Sequence, residues 1–108
     1  MTIAPYTCAL GLTIAVEVPT VALFYPGQRL RLGTCCCLVT TLTHATIFLV
    51  LFRFLDFVAA ALVLGETGAI LAEAGAYAVV SRPHDFPQAL MASAAANALS
   101  FGLGLAVL

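Results

Sequence analysis

The sequence predicts an all-α, membrane-embedded four-helix bundle with short loops, and three observations carry that prediction. The 108-residue chain is 63% hydrophobic and only 8% charged, and its mean hydropathy of +1.12 lies outside the balance of water-soluble domains. Four apolar stretches, at about residues 2–25, 34–52, 57–80 and 89–108, each approach the roughly 20 residues that a helix needs to cross a ~30 Å hydrocarbon core. The connecting stretches are short and carry every arginine, and there is no lysine. A soluble protein of this size needs a polar surface that these residues cannot supply. The expectation is a single transmembrane domain over 1–108. With a net charge of −1 there is no basic face for nucleic acid. The first residues lack the positive start of a secretory signal, and the first apolar stretch is too long for a signal core, so it reads as a retained span.

The first span holds Glu17, with Thr13 four residues before it and Thr20 three after, all on one helical face. Pro19 removes an amide donor and frees a carbonyl one turn earlier, which predicts a kink beside the carboxyl group. Pro26-Gly27 ends the helix, and residues 28–31, with Arg29 and Arg31, read as a short basic loop. The second span opens at Gly33 and Thr34, continues through Cys35, Cys36 and Cys37, and places Thr40 and Thr41 four and three residues before His44. Residues 53–56, bounded by Arg53 and Asp56, read as a tight turn.

The third span is the one around which the others are organised. Glu66 and Glu73 lie seven residues apart, so at about 100° per residue they return to nearly one face, roughly 10 Å apart along the axis. Small residues recur every fourth position at Gly68, Ala72 and Ala76, and again at Gly65 and Ala69, a pattern that lets helix backbones approach closely in lipid. Residues 81–88 form the next loop. The last span carries Ser93, Asn97 and Ser100 on one face.

Orientation follows from the arginines. Arg29, Arg31 and Arg82 fall on one side of the membrane and Arg53 on the other, so the positive-inside rule puts both termini outside a prokaryotic cytoplasmic membrane. Counted from the arginine-rich side, Glu17, His44 and Asn97 fall roughly 12–16 Å deep, with Glu66 somewhat beyond and Glu73 somewhat short. Each span therefore brings an ionisable or amide group near the midplane.

An ionisable residue within a membrane span points to function, because its burial needs a compensating reason. The blandest account is packing: Glu, Asn, Ser and Thr hydrogen-bonding across helices at about 0.6–2 kcal/mol each. A sharper one is a site that binds or translocates a cation, either a divalent metal or a proton, with Glu17, His44, Glu66 and Glu73 as ligands. Thr40, Ser93, Asn97 and Ser100 would form the orienting network. One imidazole with carboxylates is a plausible set for a first-row metal, and several carboxyl groups at one low-dielectric site share protons. The Glu-x-x-His pairing of di-iron bundles is missing. His44 alone is compatible with a haem or chlorophyll-type ring. A non-catalytic accessory subunit of a larger membrane complex, or a homo-oligomer, also fits, with protein or pigment against the polar stripes. No His-Glu-x-x-His motif or sequence-placed serine and base points to an enzyme. Three adjacent thiols project about 100° apart and cannot face one metal, so Cys35, Cys36 and Cys37 read as small apolar residues or acylation sites.

Glu17-Val18-Pro19, Thr43-His44, the spaced third-span acids, and Ser93, Asn97, Ser100-Phe101 and Gly104 together resemble a group of small prokaryotic four-span membrane proteins. The resemblance covers most of the chain from Gly11 onward. It departs at Thr40, where the group tends to have Asn, and at Ala45, where it tends to have Pro and a kink after the histidine. The resemblance implies the fold and the polar site, and no particular activity.

Overall fold

The computed structural model describes residues 3–51 and 58–107. Helix α1 spans Ile3–Phe24, α2 Arg29–Thr46, α3 Val58–Val80 and α4 Phe86–Val107. A π-helical turn, Ile47–Leu51, extends α2. All four helices are long and apolar enough to cross a membrane. α1 and α3 each pack on both α2 and α4, so the helices close a square with α1 and α3 on one diagonal. The rod measures 41 × 22 × 20 Å, and its long axis matches the ~40–45 Å of a bilayer with its headgroups.

The burial pattern inverts that of a soluble protein. Leu23 and Leu105 are each 71% exposed, whereas Glu17, Thr40, Glu73 and Ser93 are 0% exposed. In water the leucines would be driven inward. In lipid the outer face must be apolar, and polar groups are satisfied only inside the bundle. The chain is an integral membrane protein with its leucine-rich surface turned to lipid.

α1 runs unbroken through Pro19, whose ring faces outward. At its end the chain reverses within a few residues. Gln28 N–H donates to the Tyr25 carbonyl at 3.0 Å, with Pro26 and Gly27 between them and Gly27 at φ +87°. This is the pattern of a type II turn, with Pro at the second position and Gly in the left-handed region at the third.

Because the turn is so short, Arg29 and Arg31 lie in the first turn of α2 and not in a loop. Cations at a helix N-terminus oppose the backbone dipole, which is why the sequence reads as loop there. A tertiary contact holds the arrangement. The Gln28 side chain donates to the Arg82 carbonyl at 2.6 Å and accepts from the Arg82 N–H at 2.7 Å. Gln88 Nε2 donates to the Phe24 carbonyl at 2.6 Å, so α4 also reaches the end of α1. α4 starts at Phe86, within the predicted loop, because Asp85 Oδ1 accepts the Gln88 N–H at 3.2 Å and caps it. The predicted 53–56 turn, with Arg53 and Asp56, lies outside the described residues.

Val21, Tyr25, Leu32, Cys36, Tyr77, Ala89, Ala92 and Ala96 form one buried apolar cluster toward the arginine-bearing end. Within it the Tyr25 hydroxyl is buried without a hydrogen-bond partner. Ser81 lies alongside, but its own hydroxyl is turned to the Pro83 carbonyl at 3.4 Å. Burial pushes the Tyr25 phenol above its ordinary 10.0, with Asp85 adding in the same direction.

Two outcomes are expected from denaturation in mild detergent. Gly27→Ala should cost about 1 kcal/mol, because alanine resists the left-handed region. Tyr25→Phe should gain about 1 kcal/mol by removing an unsatisfied buried hydroxyl. The folded phenol ionises above the unfolded one, so its contribution is complete below pH 10.0 and is lost as pH rises through the raised value. Tyr25→Phe should therefore also flatten the alkaline loss of stability in that window.

Candidate functional site

Glu17 and Glu73 sit on diagonal helices, and both are buried at the bundle axis. α2 and α4 fill the remaining two corners, and each gives one donor to each carboxyl group. Glu17 accepts from Thr40 at 3.2 Å and from Ser100 at 2.7 Å. Glu73 accepts from Thr43 at 3.3 Å and from Asn97 Nδ2 at 3.2 Å. Tyr77, one turn along α3, adds a third bond to Glu73 at 3.3 Å. The Ser100 bond has the usual length of an O–H···O hydrogen bond.

The chemistry of the pair follows from donor inventory. A carboxyl group offers acceptor oxygens, and each one here is met by hydroxyl or amide donors. Two negative charges in contact in a medium without water would repel strongly. Arg29, Arg31 and Arg82 lie at the bundle's end, and no ion pair joins an arginine to either glutamate among the described residues. The two carboxyl groups therefore lie within one shell of neutral donors.

That shell is braced from behind. Asn97 Nδ2 also donates to the Ser93 carbonyl at 2.8 Å, and Ser93 Oγ donates to the Ile70 carbonyl at 2.8 Å. Cys36 Sγ lies 3.7 Å from Thr40 Oγ1. Cys35, Cys36 and Cys37 fan out from half-buried to buried to half-buried, and all are free thiols, as is Cys8. The predicted polar stripes of Thr40 and of Ser93, Asn97 and Ser100 converge on the carboxyl pair. Thr13 and Thr20, predicted beside Glu17, bond back to the Ala9 and Val16 carbonyls of their own helix.

Three placements differ from the sequence reading. Glu66 does not share the face of Glu73 that reaches the axis; it is half-buried beside a groove between α3 and α4. A straight helix drifts by about 20° per heptad. At the level of Glu66 the inward position belongs to Gly65, where an added Cβ would meet Ile47 Cγ1 at 3.0 Å. Thr41 is exposed and bonds to the Cys37 carbonyl at 2.8 Å, so the inward partners on α2 are Thr40 and Thr43. His44 is half-buried and makes no hydrogen bond with either glutamate among the described residues. Thr43 and Tyr77 are the residues the sequence reading left out. Their signal is spacing, three after Thr40 and four after Glu73, which puts each on the inward face of its helix.

Among the described residues no three His, Cys, Asp or Glu side chains gather closely enough to hold a metal ion. No protein-family model, curated protein or solved structure matches the chain. The chemistry must be read from its own residues.

Ser100→Ala should destabilise the folded protein by about 1 kcal/mol, the scale of an interhelical hydrogen bond in lipid. Thr41→Val, on the exposed face of α2, should stay within about 0.5 kcal/mol of wild type. Comparison of the two by detergent denaturation checks the inward register of α2 and α4; equal losses would contradict it.

Proposed function

We propose that this membrane protein binds or translocates a cation at the Glu17–Glu73 pair, which holds one proton and gives it up when a cation takes its place. The observation that supports this is the pair itself. Packing across helices needs only Asn, Ser and Thr, which carry no ionisation cost, yet here two acids from opposite corners meet. Thr40, Thr43, Asn97 and Ser100 orient the carboxyl oxygens, and after proton loss the three hydroxyl oxygens join the ligand shell of a small ion. His44 stands further out, where it serves as a relay or entry group, and Glu66 lies outside the axial site. Carboxyl and hydroxyl oxygens are hard ligands, so the cargo is a proton or a hard cation and not a soft metal.

The chain is proposed to lie in a prokaryotic cytoplasmic membrane with both termini outside. Arg29, Arg31 and Arg82 gather at one end of the rod and favour the cytoplasmic side there. The apolar cluster of Tyr25, Leu32 and Tyr77 lies between that end and the pair. It would act as a barrier on the cytoplasmic side of the site.

A second reading, as an accessory subunit or homo-oligomer, draws on the outward small residues of α3. Gly68 and Ala72 are exposed, and nothing lies within 4 Å of a Cβ built on Gly68. A further helix could approach closely there.

Purified protein in mild detergent should melt at a higher temperature in the presence of the cation it binds, and binding should release protons into a weakly buffered solution. Glu17→Gln combined with Glu73→Gln should abolish both responses while the variant keeps its helical spectrum. If no cation shifts the melting curve, or if the shift survives in the double variant, the assignment is wrong.

A further inference from the structure

A second carboxyl group in the membrane remains outside the axial site. Glu66 lines a lateral groove of about 360 Å³ between α3 and α4, with Thr67, Ile70, Asn97, Ala98 and Phe101 among its walls. The volume falls within the ~300–1,000 Å³ typical of small-molecule sites. Apart from Glu66, Thr67 and Asn97 the walls are hydrocarbon, and the groove faces the surroundings of the bundle and not its axis. Among the described residues Glu66 makes no hydrogen bond and no ion pair, in contrast to the fully satisfied Glu17 and Glu73. A half-buried acid with no hydrogen bond and no opposite charge beside it, within a membrane span, is costly to maintain for packing alone.

We infer that the α3–α4 groove binds a lipophilic organic monocation, entering sideways from the bilayer, with Glu66 as its counter-ion. Charge complementarity selects a cation, because the one ionisable group in the groove is an acid. The wall chemistry selects the kind. A bare metal ion needs several oxygen ligands, and the groove offers one carboxyl group, the Thr67 hydroxyl and one amide. Asn97 commits its nitrogen inward to Glu73 and Ser93, so its carbonyl oxygen is what it has left for the groove. A cation that carries its own apolar surface satisfies such a site with fewer polar contacts, because the aliphatic walls bury its hydrocarbon. The Phe101 ring, partly exposed at the groove, adds an aromatic face of the kind that attracts organic cations. The site differs from the axial pair in access, in polarity and in the cation it selects, and Asn97 touches both.

The test is equilibrium binding of radiolabelled methyltriphenylphosphonium to the full chain in phosphatidylcholine nanodiscs, with empty nanodiscs subtracted. Saturable binding is expected, at one probe per chain. Glu66→Gln should weaken it by about tenfold or more, as expected for loss of the only opposite charge in a low-dielectric groove. Glu66→Asp should restore much of it. Ala98→Trp should block the groove without touching the charge, and Thr41→Val, on the exposed face of α2, should leave binding unchanged. Circular dichroism and gel filtration establish that each variant is folded. Absence of saturable binding to the wild type would overturn the inference. So would binding that survives both Glu66→Gln and Ala98→Trp, or equal competition by neutral triphenylphosphine oxide, which would mark an unselective apolar groove. Efficient disulfide cross-linking of two chains through Glu66→Cys would also overturn it, by making the groove an interface between copies.

Discussion

The contact on which the structure depends is the one between Glu17 and Glu73. It joins diagonal helices across the bundle axis, where the square packing would otherwise leave α1 and α3 with little to hold them. To supply donors to both carboxyl groups, α2 must present Thr40 and Thr43 inward, and α4 must present Asn97 and Ser100. The rotation of all four helices about their own axes is therefore tied to one polar layer. Apolar packing alone would tie it weakly, because lipid competes for leucine as well as a neighbouring helix does. Directional bonds to a fixed pair of carboxyls specify a register that dispersion forces would leave loose.

The layer is also where stability and chemistry meet. Every bond counted there satisfies a group whose burial in hydrocarbon would otherwise cost several kcal/mol. The same layer is where the proposed exchange of a proton for a cation would take place. On the arginine side the pair is backed by Tyr77, Cys36, Leu32 and Tyr25. The clamp between Gln28 and Arg82 ties the ends of the helices below that cluster. The arrangement places an apolar end beneath a polar centre.

The fold was readable in the sequence because span length and hydropathy are properties of each stretch by itself. Much of the site was readable for a related reason: Thr40, Ser93, Asn97 and Ser100 stand at helical spacing, and three-to-four-residue stripes survive small errors in helix rotation. Glu66 did not follow, because the seven-residue step that aligned it with Glu73 assumes a straight helix whose face stays seamward over two turns. The close approach of Gly65 to Ile47 decides otherwise, and it involves a π-helical turn that no local pattern announces. Thr43 and Tyr77 were within reach of the same spacing rule, but a threonine and a tyrosine in an apolar helix draw less notice than a glutamate. The arginines at the start of α2 were misplaced because local dipole preference was outweighed by Gln28, whose partner lies 54 positions away.

The proposed exchange requires that the two axial carboxyl groups share one proton. Infrared difference spectroscopy on protein carrying ¹³C-labelled glutamate, compared with Glu17→Gln and Glu73→Gln variants, addresses it directly. The account predicts one protonated, hydrogen-bonded carboxyl band that belongs to the pair, with the remaining glutamate of the pair seen as carboxylate, and a band that shifts when either partner is replaced. Two independent carboxylate signatures, or a protonated band unmoved by replacement of the other glutamate, would contradict it.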